Sequence, residues 1–292
     1  MSESWASLRI NLPANLVDPL SGLLMELGAE GTWEDGSDLV AYFPISVHRD
    51  EVNHALAAWN GNLADCGVTL QTGKPHWEET LEGDWITAWQ AHFVPIAVGG
   101  RLIVLPEWEP IEPYKDRLPI RIRPGRGFGT GGHDTTALCL KRLERVIVAS
   151  PSPADLSVLD VGTGSGILAI AAHKLGAGTV TAFDNDPDAV DNARDNLQLN
   201  DCNGIELFTG TLDAVTGRYD LILANLLAHL IVEIAPALSA HLAPDGHLIL
   251  SGLLNDQVDG VDAALAASGL RTVKYESRGM WSCLLAAHET TS

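Results

Sequence analysis

Short apolar runs alternate with amphipathic stretches through the second half of the chain, and most runs stop at a glycine or a polar residue. Residues 158–161, 179–183, 219–224 and 247–251 are nearly continuous in apolar side chains and bounded by turn residues, the pattern of strands buried on both faces. Residues 205–209 add a shorter strand. The stretches 187–199, 227–241 and 255–267 carry helical spacing between them, so strands and helices alternate as in a doubly wound parallel sheet. Residues 271–277 and 280–287 have no helix between them and predict a closing antiparallel pair.

The first third is patterned differently. Residues 5–12 read as a strand, 17–27 as an amphipathic helix, 31–33 with 39–44 as a hairpin, 50–60 as a second helix and 68–72 as a last strand. That order predicts a small α+β ferredoxin-like domain over 1–73. A tryptophan-rich connector is expected over 74–125. In it Asp84 caps a helix whose Trp85, Trp89 and Phe93 share one face, and Pro106, Pro110, Pro113 and Pro119 mark turns. The doubly wound, Rossmann-like α/β domain then occupies 126–292.

The most informative chemistry lies where the run 158–161 meets the next helix. Asp160-Val161-Gly162-Thr163-Gly164-Ser165-Gly166 places glycine at alternate positions, which lets the backbone bend sharply and approach a ligand. The following strand ends in Asp184, roughly twenty residues on and placed to bind ribose hydroxyls. Together Gly162, Gly164, Gly166 and Asp184 predict a nucleotide-cofactor cradle. Their spacing is not the G-x-G-x-x-G of a dinucleotide pyrophosphate site, which disfavours an oxidoreductase. The carboxylate of Asp160 suits the cationic amino group of S-adenosylmethionine, a cofactor without phosphates that need a helix N-terminus. The competing reading of Asp160 is a turn cap.

Upstream, Gly127-Phe128-Gly129-Thr130-Gly131-Gly132-His133-Asp134-Thr135-Thr136 is glycine-rich and then polar, and it leads into a helix over 137–148. Asp134 is expected to cap that helix, leaving free N–H groups that can meet a carboxylate such as that of methionine. A simple capped helix after a hinge is the alternative.

Composition narrows the partners. The 292-residue chain has a formal net charge of -20, which argues against gripping nucleic-acid phosphates and favours a basic protein partner, although solubility alone accounts for such a charge equally well. Cys66, Cys139, Cys202 and Cys283 are scattered without metal-ligand or disulfide spacing, so a reducing compartment and no metal site are expected. No apolar run reaches membrane-spanning length, and residues 1–10 lack the features of a secretory signal. A soluble, cytoplasmic monomer is expected.

These blocks resemble the bacterial ribosomal protein L-eleven methyltransferases. The resemblance runs from the Trp85 region to the C-terminus and rests on Phe128-Gly129-Thr130-Gly131, His133, Thr135-Thr136-Ala137-Leu138-Cys139-Leu140, residues 160–171, and Ala224-Asn225-Leu226-Leu227. It implies a seven-stranded class I methyltransferase domain, an N-terminal substrate-recognition domain, and trimethylation of lysine or N-terminal amino groups of ribosomal protein L-eleven with S-adenosylmethionine. It also implies cofactor contacts at Thr136, Gly162, Asp184 and Asn225. The chain departs from the family at Gly132, where Thr is usual, at Asp134, where Pro is usual, and at Arg123, where Asp is common.

Methyl transfer to an amine needs no nucleophilic side chain, only alignment and a deprotonated acceptor. At neutral pH, freeing a lysine of pKa about 10.4 costs roughly 4 to 5 kcal/mol, against about 1 for an α-amino group. Asn225 is the expected catalytic residue: its amide oxygen can accept an N–H and aim the lone pair, where a carboxylate would hold the ammonium. An Asn that only satisfies a turn is the competing reading. His133 and His229 are first expected to be structural or substrate-contacting. Two other functions stay open, a methyltransferase of the same fold acting on another protein or a small molecule, and a noncatalytic S-adenosylmethionine-binding module.

Overall fold

The computed structural model of the chain describes residues 4–13, 16–29, 31–35, 38–65, 75–81, 94–123 and 133–289. They fall into two compact units that divide between Phe93 and Val94. No helix among the described residues is long and apolar enough to cross a membrane.

In the first unit, β1 (Ser4–Asn11), α1 (Val17–Glu26), β2 (Gly31–Asp35), β3 (Asp38–Pro44), α2 (Arg49–Asp65) and β4 (His76–Leu81) follow one another. The sheet runs β2-β3-β1-β4 with every pair antiparallel, which is the ferredoxin-like topology. Alternate residues Ala6, Leu8 and Ile10 of β1 share a core with Leu20 and Leu24 of α1 and Val52 and Leu56 of α2. The strand expected at 68–72 falls outside the described residues, and the fourth strand is β4. Its apolar anchor is Trp77, which donates from Nε1 to Asn53 Oδ1 at 3.0 Å and meets the Phe43 ring at 5.4 Å.

The connector expected over 74–125 is thus divided, since β4 belongs to the first sheet and residues from Val94 onward to the second unit. Its tryptophan-bearing helix at Trp85 and Trp89 lies outside the described residues. The rest is a three-stranded sheet of β5 (Ile96–Val98), β6 (Leu102–Pro106) and β7 (Leu118–Ile122). Pro106 and Pro119 therefore lie in strands, not turns. Pro119 is tolerated because β7 is an edge strand, where one N–H fewer breaks no ladder.

The remaining elements are α3 (Asp134–Ala149), β8 (Ser157–Val161), α4 (Ile167–Lys174), β9 (Thr179–Asp184), α5 (Pro187–Leu199), β10 (Ile205–Thr209), β11 (Tyr219–Asn225), α6 (Ala228–His241), β12 (Leu242–Leu254), α7 (Val258–Ala267), β13 (Leu270–Arg278) and β14 (Trp281–His288). They build a seven-stranded sheet in the order β10-β9-β8-β11-β12-β14-β13. β10 through β12 pair in parallel, and β14 runs antiparallel to both β12 and β13.

Neighbouring positions along each strand feed opposite faces. Val158, Leu221, Leu223 and Ile249 pack with Leu140, Leu143 and Ile147 of α3, whereas Leu159, Ile222, Ala224 and Leu250 pack with Ile231 and Leu238 of α6. Two covered faces explain why these strands read as continuous apolar runs. Each fully buried Val, Leu or Ile contributes about 1.5–3 kcal/mol relative to exposure, so these layers fix the strand ends that carry the chemistry.

Candidate functional site

Register alone assembles the site. In the parallel ladder Val161 of β8 pairs with Phe183 of β9 and with Ala224 of β11. The next residues, Gly162, Asp184 and Asn225, therefore stand at the same level at the strand ends, with Asp184 on one side of Gly162 and Asn225 on the other. The chain order reverses between β8 and β11, so the three stand at a topological switch point, beyond the carboxyl ends of the strands, where such sheets bind ligands.

Gly162, Gly164 and Gly166 all adopt positive φ, at 66°, 54° and 78°, a region that L side chains rarely enter. A Cβ on Gly162 would stand 2.6 Å from Leu226 Cδ2. The turn closes through Gly166 N–H donating to Thr163 O at 2.9 Å, and Thr163 N–H donates to Phe183 O at 2.9 Å. Asp184 completes the cradle: Oδ2 accepts from Gly164 N–H at 2.9 Å and Oδ1 from Asp186 N–H at 3.1 Å.

Asp160 lies beneath the loop, 1% exposed. Its Oδ2 accepts from Thr163 Oγ1 at 2.7 Å and from Ala169 N–H at 3.1 Å, whereas its buried Oδ1 has no protein partner. Burial pushes this carboxyl up to about 6; the Thr163 and Ala169 hydrogen bonds pull it back, and the nearby Asp184 charge adds to the rise. One oxygen thus braces the turn and the other stays free to meet a donor.

Asn225 shows the same asymmetry. Its Nδ2 donates to Thr136 Oγ1 at 3.4 Å, while Oδ1 is buried without a protein partner. Thr136 is fully buried in the first turn of α3, so that helix start is brought to the strand ends. Asp134 does not cap it as expected. His133 is the N-cap, its Nδ1 accepting from Thr135 N–H at 3.3 Å, and Asp134 turns instead to Arg278 Nε at 2.9 Å. A cation at the tip of the β13–β14 hairpin outcompetes the helix amides for that carboxylate, and no local pattern announces it. The His133 ring also meets Trp281 edge-on at 4.9 Å. Residues 124–132, with the glycine-rich stretch through Gly132, lie outside the described residues, and His229 is exposed.

Leu226, part of a block that carries the resemblance, and Gly252, which no motif singles out, complete the strand end. Leu226 covers Gly162, and its N–H donates to Ser251 O at 3.0 Å. Gly252, at φ 85°, leaves room for the Leu226 backbone: a Cβ there would stand 2.2 Å from the Leu226 carbonyl oxygen. A single glycine inside an apolar strand is the signal of such a close approach.

Comparison with known proteins agrees with this architecture. The family model for ribosomal protein L11 methyltransferase (PrmA) matches residues 4–289. The ribosomal protein L11 methyltransferase of Pelobacter propionicus is 37% identical, covering 98% of each chain. That of Geobacter sulfurreducens is 38% identical, over 99% of this chain and 100% of its own. The crystal structure of a ribosomal protein L11 methylase from Lactobacillus delbrueckii subsp. bulgaricus is 39% identical with a TM-score of 0.62, over 68% of this chain and 99% of that one. With the family model spanning nearly its whole length and the seven strands in the class I methyltransferase order, the chain belongs to the ribosomal protein L11 methyltransferase family.

Proposed function

We propose that the protein transfers methyl groups from S-adenosylmethionine to amino groups of ribosomal protein L11, up to three per amine. The observation that carries this reading is the orphaned Asn225 Oδ1 at the strand end beside Gly162, one glycine away from the Asp184 carboxylate. The residues fit the cofactor. Glycines at positive φ give a backbone surface without side chains, Asp184 offers carboxylate oxygens for ribose hydroxyls, and the free Asp160 Oδ1 and the buried Thr136 suit the cationic and polar methionine end.

When bound, S-adenosylmethionine supplies an electrophilic methyl group on a sulfonium sulfur. The protein's part is to aim the acceptor. Asn225 Oδ1 accepts one N–H of the incoming amine, while Thr136 Oγ1 holds the amide from its Nδ2 side, so the lone pair keeps one direction. A neutral amide there does not stabilise the ammonium form as a carboxylate would, which eases deprotonation. By the same logic an N-terminal amine, with its lower pKa, reacts before lysine side chains. The net charge of -20 draws a basic substrate toward the enzyme, and the ferredoxin-like unit is the natural element to recognise it. A cytoplasmic setting, where ribosomal proteins are made, suits this activity.

The test is incubation with S-adenosylmethionine and ribosomal proteins from cells lacking the enzyme, read by intact-mass spectrometry. L11 should gain methyl groups, and Asn225→Ala should slow the gain on the order of 100-fold, well beyond any weakening of donor binding. Ribosomal proteins left unmodified while a metabolite extract consumes the donor would reassign the acceptor. Donor binding with no transfer to any acceptor would reduce the protein to a binding module.

A further inference from the structure

Asn196, on α5, is fully buried, and its amide bridges two segments far apart in sequence. Oδ1 accepts the Arg123 N–H, immediately after β7, at 2.7 Å, and Nδ2 donates to the Ser165 carbonyl, inside the glycine loop, at 2.9 Å. A longer bond, 3.4 Å, runs from Nδ2 to Asn192 Oδ1. One helical turn on, Asn200 makes an analogous pair with β7: Oδ1 accepts Arg121 N–H at 2.9 Å and Nδ2 donates to Arg121 O at 2.6 Å, and Nδ2 also donates to Asn196 O at 2.8 Å. Positions four apart share a helix face, so α5 presents two amides to β7, and only the first also reaches the loop.

The same face backs the loop sterically. A Cβ on Gly166 would stand 3.0 Å from Leu197 Cδ1 and 3.3 Å from Ala193 Cβ, so the loop already rests against α5 at that point. Because the peptide unit is planar, fixing the Ser165 carbonyl also fixes the Gly166 N–H, the group that closes the turn onto Thr163 O. Removing the Asn196 amide takes these bonds from the Ser165 carbonyl and the Arg123 N–H, so the Ser165–Gly166 peptide loses its tie to the end of β7.

We propose that Asn196 is a positioning residue for methyl-donor binding, a buried amide that pins the Ser165–Gly166 peptide to the end of β7 and holds the glycine loop in its donor-binding shape. The proposal rests on the reading that this loop holds S-adenosylmethionine. If only a fraction of molecules keeps the competent loop, apparent affinity falls by that fraction.

The experiment is calorimetric titration of S-adenosylmethionine into the full chain and into Asn196→Ala, Asn196→Asp and Asn200→Ala, each with its thermal unfolding midpoint. Both Asn196 variants should bind at least about 10-fold more weakly. Asn196→Asp keeps the acceptor for Arg123 and loses the donor to Ser165, so it isolates the loop bond and carries the test if the alanine variant does not fold. Asn200→Ala should lower the midpoint as much as Asn196→Ala yet bind within about two-fold of wild type, which separates positioning from general loosening. Asn196 variants with wild-type affinity, or Asn200→Ala weakened equally, would overturn the proposal. A wild-type chain with no affinity for S-adenosylmethionine would instead sink the reading beneath it.

Discussion

A carboxylate with one braced oxygen and one free oxygen, as at Asp160, costs stability until something cationic arrives. Its folded pKa of about 6 lies above the ordinary 3.8, so between those values the unfolded chain releases a proton that the folded chain retains. Stability is therefore lost as pH rises from about 4 to about 6, and above that a penalty of about 3 kcal/mol persists in the protein without donor. Glu276 works in the opposite sense. Partial burial raises its pKa, but Lys141, Arg145 and Arg142 together draw it below 4.5, so its contribution is present above that value and is lost in acid. Comparing wild type with Asp160→Asn isolates the first effect. The variant keeps an acceptor for Thr163 and Ala169 and has no charge to bury, so its stability relative to wild type should climb by about 3 kcal/mol between pH 4 and pH 7. Urea unfolding across that range measures it, and a pH-independent difference would contradict the assignment.

Among the elements, β12 sets the position of β11's end through one missing side chain. Gly252→Ala forces a Cβ into the Leu226 carbonyl at a positive-φ position, and relief requires shifting Leu226 and with it Asn225. Strain and overpacking should destabilise by about 2–4 kcal/mol, and transfer to the acceptor should fall on the order of 100-fold while the chain stays folded. Equilibrium unfolding beside a transfer assay reads both, and wild-type turnover would show that the Leu226 backbone does not hold the acceptor site. Elements of the large sheet were legible because burial on both faces leaves little choice of side chain: the apolar runs at 158–161, 179–183 and 219–224 coincide with β8, β9 and β11 to within a residue or two. β4 was not legible, since His76-Trp77-Glu78-Glu79-Thr80-Leu81 carries few apolar side chains and gains its place from pairing with β1. β5 to β7 were hidden by Pro106 and Pro119, which read locally as turns and are allowed at the end and edge of a small sheet. At the site, glycines and strand-end polar residues show in sequence because backbone geometry demands them. The Asp134–Arg278 ion pair and the Asn196–Arg123 bond join residues separated by scores of positions, and such contacts exist only once the chain has folded.

Taken as a whole molecule, the protein pairs a ferredoxin-like unit with a methyltransferase unit, each with its own core, on a chain of net charge -20. The glycines at positive φ that form the strand-end loop lie in the second unit, to which we assign donor binding, and acceptor recognition is the role proposed for the first. Everything in that division depends on the donor lying against Gly162 with its ribose at Asp184. The most direct measurement is the affinity of the Asp184→Ala variant for S-adenosylmethionine, set beside wild type by calorimetry with folding checked by circular dichroism. Loss of charge-assisted hydrogen bonds to the ribose should weaken binding about 10- to 100-fold. A folded variant that binds the donor as tightly as wild type would place the donor elsewhere and contradict the account.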